Sequence, residues 1–146
     1  MAVQAETGLG VKVATFASLL NQKIVVVSEE GDYVAIDQHF FQATLRPFIH
    51  RIRLDADWYV ETYPDIARAI ESKVVRDARD HYDRFGYFEN RLPYPIEVKE
   101  GWYANAYPDV KAAIARRDFS SAQDHFEQNG FREGRVPYPG FEFDLV

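Results

Sequence analysis

The sequence predicts an α+β fold, and three features predict it: a β-branched run near the N-terminus, a helical stretch that occurs twice, and prolines where each copy starts a helix and leaves it. The expected plan is a small N-terminal β-hairpin or sheet element over residues 1–53. Two tandem 44-residue helical repeats follow, the first at 54–97 and the second, with the C-terminal tail, at 98–146.

The β element rests on residues 23–28, where Ile24, Val25, Val26 and Val27 form an unbroken β-branched run. Glu29, Glu30, Gly31 and Asp32 then supply a four-residue turn, and residues 33–36 (Tyr-Val-Ala-Ile) return as a second strand. Upstream, Val11, Val13 and Thr15 alternate with Lys12 and Ala14 as in a strand, and the small, aperiodic residues 1–9 read as a frayed arm. Residues 39–45 are a further apolar segment that reads as a strand, because Pro47 weighs against a helix running through it. So short a sheet needs a cover for its apolar surface, either the repeats or a second copy of itself.

The duplication is explicit. Residues 58–95 and 102–139 align without a gap, and 16 of the 38 positions are identical, far more than two unrelated helical stretches share. Trp58-Tyr59, Tyr63-Pro64-Asp65, His81, Gly86, Glu89, Arg91 and Pro93-Tyr94-Pro95 return as Trp102-Tyr103, Tyr107-Pro108-Asp109, His125, Gly130, Glu133, Arg135 and Pro137-Tyr138-Pro139. Each copy is expected to hold three helical pieces and an extended exit. Asp55 or Asp57 N-caps the first helix. Pro64 and Pro108 open the second at the position where proline costs nothing, and Asp65 and Asp109 set a carboxylate against its positive end. Ile66, Ala69, Ile70 and Val74 form its inward face, matched by Val110, Ala113 and Ile114. Val75, Ala78, Tyr82 and Phe85, and in the second copy Phe119, Ala122 and Phe126, face inward from the third helix. Gly86 and Gly130 are expected to end that helix with positive φ, as are Asn90 and Gly134 four residues later. The Pro-Tyr-Pro tails cannot be helical.

Composition narrows the function classes. A net charge of −6 and a pI near 5.2, with no clustered Lys or Arg, argue against a nucleic-acid or anionic-membrane partner. With zero cysteines, disulfides, thiolate catalysis and Cys-type zinc sites are excluded. Residues 1–20 lack a basic leader, and Lys12, Thr15 and Ser18 interrupt their apolar stretch. They read as neither signal peptide nor membrane span, so cytoplasmic location and no membrane insertion are the expectation. No phosphate loop, nucleophile elbow or metal-binding His motif is present, and the chain reads as a non-enzyme with no cofactor.

The candidate binding surface comprises Trp58, Tyr94, Trp102, Tyr138, Arg91 and Arg135. Flat aromatic rings beside hydrogen-bonding groups suit sugar recognition, but in small helical repeats such rings more often fill the core. His81 and His125 occupy equivalent positions and could in principle share a metal; hydrogen bonding to a carbonyl or a tyrosine is the simpler role. Glu89 with Arg91, and Glu133 with Arg135, read as local ion pairs that close the turn after each glycine.

The spaced pattern W-Y-x3-Y-P-D-[IV], then H-[YF]-x3-G-x2-E-[NG]-R-x-P, resembles a short repeat module appended to bacterial surface-polysaccharide glycosyltransferases and other envelope-associated proteins. The resemblance covers residues 54 to 141. It implies an accessory or interaction module, with no catalytic residue of its own. The expected function is therefore a non-enzymatic protein-interaction or scaffold module. It would bind a protein partner, form a homodimer through its β element and serve bacterial envelope polysaccharide systems. The alternative is a carbohydrate-binding module that uses the repeat aromatics on a polysaccharide.

Overall fold

The computed structural model describes residues 16–31 and 34–146 and has the expected α+β architecture, a two-stranded antiparallel hairpin followed by the duplicated helical repeats. The chain divides into two compact units, Met1–Thr44 and Leu45–Val146. The expected strand at residues 10–15, the arm at 1–9 and the start of the second strand at Tyr33 lie outside the described residues.

In the first unit a short helix, α1 (Phe16–Asn21), precedes β1 (Val25–Val27), which pairs with β2 (Val34–Ile36). The register sets Val25 against Ile36, Val26 against Ala35 and Val27 against Val34. With side chains alternating along each strand, Val27, Val34 and Ile36 share one face and Val26 the other. All four are exposed, while Val25 is buried.

Helix α2 (Gln38–Ile49) replaces the strand expected at 39–45. The Asp37 carboxylate accepts the Phe40 N–H at 2.9 Å and caps its start. Pro47 falls in the last turn, where its missing N–H forfeits a single helical hydrogen bond, so the proline accompanies the helix end instead of preventing the helix. The division between units falls inside α2. Leu45, Ile49, Ile52 and Leu54 pack on the first repeat, so part of the segment expected within the β element belongs to the helical unit.

Each repeat is built the same way. Helix α3 (Ala56–Thr62), α4 (Pro64–Glu71) and α5 (Ala78–His81) form the first; α6 (Glu100–Ala106), α7 (Pro108–Ala115) and α8 (Ala122–His125) form the second. Pro64 and Pro108 open α4 and α7 as the sequence requires. Asp55 caps α3 by accepting the Trp58 N–H at 3.1 Å. Its counterpart Lys99 makes no side-chain cap. Each repeat closes on itself through one backbone hydrogen bond, from Asp55 N–H to the Pro93 carbonyl (3.0 Å) and from Lys99 N–H to the Pro137 carbonyl (3.1 Å).

Two readings of local geometry need correcting. Val74, expected to face inward from α4, is 69% exposed, since the chain has already left the helix there and Val75 takes the buried place; Phe85 is also exposed. Gly86 and Gly130 do not have positive φ and do not end the helix. They close π turns, Tyr82–Gly86 and Phe126–Gly130, which continue α5 and α8 with i to i+5 bonds such as Tyr87 N–H to the Tyr82 carbonyl at 3.0 Å. Glycine is required there for space. A Cβ on Gly86 would collide with the Tyr59 hydroxyl, and one on Gly130 with that of Tyr103. The left-handed turn comes four residues later, at Asn90 (φ 54°) and Gly134 (φ 74°), as expected from the Asn/Gly exchange.

Two apolar clusters result. One gathers Ile49, Ile52, Tyr59, Ile66, Ala78 and Tyr82; the other gathers Leu92, Tyr94, Ile96, Val98, Tyr103, Val110, Ala122 and Phe126. Trp58 and Phe143 touch both clusters. The tail returns across the first repeat's entry, with Arg53 N–H donating to the Asp144 carbonyl at 2.7 Å and Val146 N–H to that of Arg51 at 2.7 Å. Among the described residues, no helix is long and apolar enough to cross a membrane.

Candidate functional site

The duplicated polar positions form two constellations in each repeat. In the first, a buried tyrosine meets a buried histidine: Tyr59 and His81 are joined at 3.0 Å between Oη and Nδ1, and Tyr103 and His125 at 3.1 Å. Burial lowers both histidine pKa values and raises those of the tyrosines, Tyr103 to about 12. At neutral pH the imidazoles are therefore uncharged, and each shares one hydrogen bond between Nδ1 and the phenol, its direction set by the imidazole tautomer. The pair is a core strut that fixes the first helix of the repeat against the third, with the phenol lying on the glycine of the π turn. Among the described residues, no group of three or more acidic or His side chains is placed to hold a metal ion.

The second constellation centres on an arginine. Arg91 forks onto Asp65 (3.1 and 2.7 Å) and bonds Glu89 through Nε at 2.7 Å; Arg135 does the same with Asp109 (2.9 and 2.6 Å) and Glu133 (2.7 Å). The guanidinium also lies 4.9 Å from the Tyr63 ring centre, or 4.8 Å from that of Tyr107. The hydroxyls of those tyrosines accept the Leu92 and Val136 N–H groups. The Arg135 hydrogen bond holds the Asp109 carboxyl down at about 2, and Arg91 lowers that of Asp65 in the same way. The glutamate–arginine pairs thus extend beyond a local turn, tying the start of α4 or α7 to the extended exit. Asp65 and Asp109 are exposed, so screening keeps each pair to about 1 kcal/mol or less.

The two remaining candidates, Tyr94 and Tyr138, line one groove of about 450 Å³ together with Arg53, Glu97, Lys99 and Asp144. Their surroundings differ. Tyr94 is 5% exposed, carries the Arg53 guanidinium 3.9 Å from its ring centre, and accepts the Asp144 N–H at 2.9 Å. Arg53 in turn pairs with the Asp144 carboxylate at 3.1 Å. Tyr138 is half-buried, packs edge-on against Phe141 at 5.5 Å between centres, and has Lys99 Nζ 5.5 Å from its ring centre. Trp58 and Trp102 are half-buried and meet Tyr63 and Tyr107 edge to face at 6.3 and 6.1 Å.

Of the six sequence-derived candidates, only Tyr94 and Tyr138 come together. Arg91 and Arg135 are held in equivalent clusters, one per repeat, and each Trp packs at the core margin. Arg53 and Glu97 were missed by sequence reasoning, though a signal existed: they are separated by the same 44 residues as every repeated pair. No protein-family model, curated protein or solved structure matches the chain.

Proposed function

We propose that the chain is a non-enzymatic protein-interaction and scaffold module that self-associates through its hairpin unit. Its setting, by the resemblance of the repeat pattern, is bacterial envelope polysaccharide synthesis.

The observation that carries this reading is the exposed apolar hairpin. Val26 (48%), Val27 (41%), Val34 (52%) and Ile36 (45%) are open on both faces of a two-stranded sheet. Such a sheet is marginal alone, and an uncovered strand edge readily pairs with another. Carbohydrate binding is less well supported. It needs free ring faces, whereas Tyr94 is roofed by Arg53 and the tryptophans pack edge to face with their neighbours. The repeated His, Asp and Arg side chains are engaged with one another, which suits a framework better than a catalytic centre.

Sedimentation equilibrium at micromolar concentration tests the association. The expected mass is twice the 16.9 kDa of the chain. Replacing Val27 and Val34 together by lysine should return the single-chain mass while far-ultraviolet circular dichroism of the repeats is unchanged. A wild-type protein that sediments as a monomer overturns the self-association.

A further inference from the structure

We propose that Tyr138 and Glu97 form a receptor for an arginine side chain presented by a partner protein. The first repeat contains the template. There Arg53 lies on the Tyr94 ring at 3.9 Å and pairs with the Asp144 carboxylate at 3.1 Å, so cation, aromatic face and carboxylate form one unit within the chain.

The second repeat has the same backbone closure and no arginine at the equivalent position. The bond from Asp55 to Pro93 recurs from Lys99 to Pro137, so residues 97 and 138 hold the backbone positions in the second repeat that residues 53 and 94 hold in the first. Position 97 is glutamate, and it lines the same groove as Tyr138. The position that supplies a guanidinium to Tyr94 thus carries a carboxylate in the second repeat. Among the described residues no hydrogen bond reaches the Tyr138 hydroxyl, whereas that of Tyr94 is taken by the tail. Lys99 Nζ lies 5.5 Å from the Tyr138 ring centre, close to the outer limit of about 6 Å for such contacts, and Arg53 of the same groove is engaged with Tyr94 and Asp144. Planar guanidinium stacks on a ring and bonds a carboxylate at once, which an ammonium does less well, so arginine is the ligand that the pair fits. The net charge of −6 also favours a cationic partner.

This inference rests on the interaction-module reading but not on hairpin dimerisation, and the test separates them. The Val27→Lys/Val34→Lys protein and the wild type are each titrated, in ¹H–¹⁵N correlation spectra, with the capped tripeptides Gly-Arg-Gly and Gly-Glu-Gly. The arginine peptide should give saturable shifts confined to residues 96–99 and 138–141 in both proteins, and the glutamate peptide none. Glu97→Arg, which rebuilds the first repeat's arrangement with an internal cation, should weaken arginine-peptide binding by about five-fold or more without lowering thermal stability. Tyr138→Leu should weaken it similarly, and Lys99→Gln should strengthen it. Absence of saturable shifts, shifts elsewhere, or unchanged binding by Glu97→Arg overturns the receptor, whatever the association state.

Discussion

The two repeats share a frame and differ in what they do with it. Tyr, His, Gly, Asp, Glu and Arg occupy the same places in both copies and make the same bonds within 0.2 Å, as in Tyr59 to His81 at 3.0 Å and Tyr103 to His125 at 3.1 Å. The differences lie where a copy meets what precedes or follows it. The first repeat has Trp58 touching both clusters, a capped first helix, and a tail folded over Tyr94; the second has none of these. The hydrogen-bonded polar residues inside a repeat are duplicated, whereas the segments that flank it, Asp55 against Lys99 and Arg53 against Glu97, have diverged.

The largest expected test of this contrast is the tryptophan pair. Trp58→Ala removes a ring shared by both clusters and should cost about 3 kcal/mol in chemical denaturation, with Trp102→Ala costing about 1 kcal/mol less because only the second cluster loses contacts. Equal costs would show that Trp58 does not couple the repeats.

Capping gives a smaller effect. Asp55→Ala should cost about 1 kcal/mol, and Lys99→Ala nearly nothing. The second repeat caps elsewhere: the Glu100 carboxylate accepts the Ala122 and Gln123 N–H groups at 2.9 and 3.0 Å, at the start of α8. Glu100→Ala should therefore match Asp55→Ala, at about 1 kcal/mol by thermal melting. A negligible loss would place the second repeat's stability elsewhere.

The smallest effect is one of sign. Tyr82 is wholly buried and its hydroxyl has no partner among the described residues, while the second repeat has Phe126 there. Tyr82→Phe removes an unsatisfied group without changing shape, and should leave stability unchanged or raise it by up to about 1 kcal/mol. A clear loss would reveal a partner for that hydroxyl.

Much of this was legible beforehand because duplication acts as an internal control. Pro64 and Pro108, the turn at Asn90 and Gly134, and the hairpin all follow from local rules that a side chain cannot evade. The misreadings at the glycines come from contact with distant residues, and that at residues 39–45 from a local cap together with such contact. Gly86 and Gly130 read as helix-ending residues, yet what excludes a side chain there is a phenol 27 residues upstream in sequence. Residues 39–45 read as a strand by composition, whereas the Asp37 cap and the packing of Leu45 and Ile49 make a helix.

By itself, then, the sequence determined the duplication, the helix starts, the left-handed turns and the acidic, cysteine-free character of the chain, since these depend on residue type and spacing alone. Tertiary structure decided why the repeated glycines are glycines, and it turned each Glu-Arg pair into a clamp on the helix start. It also decided which of two identical tyrosines is covered. Tyr94 and Tyr138 have the same neighbours in sequence, Pro on either side. Only the folding of Arg53 and the Asp144 backbone over one of them distinguishes the two, because a ring face is closed by what lies above it in space.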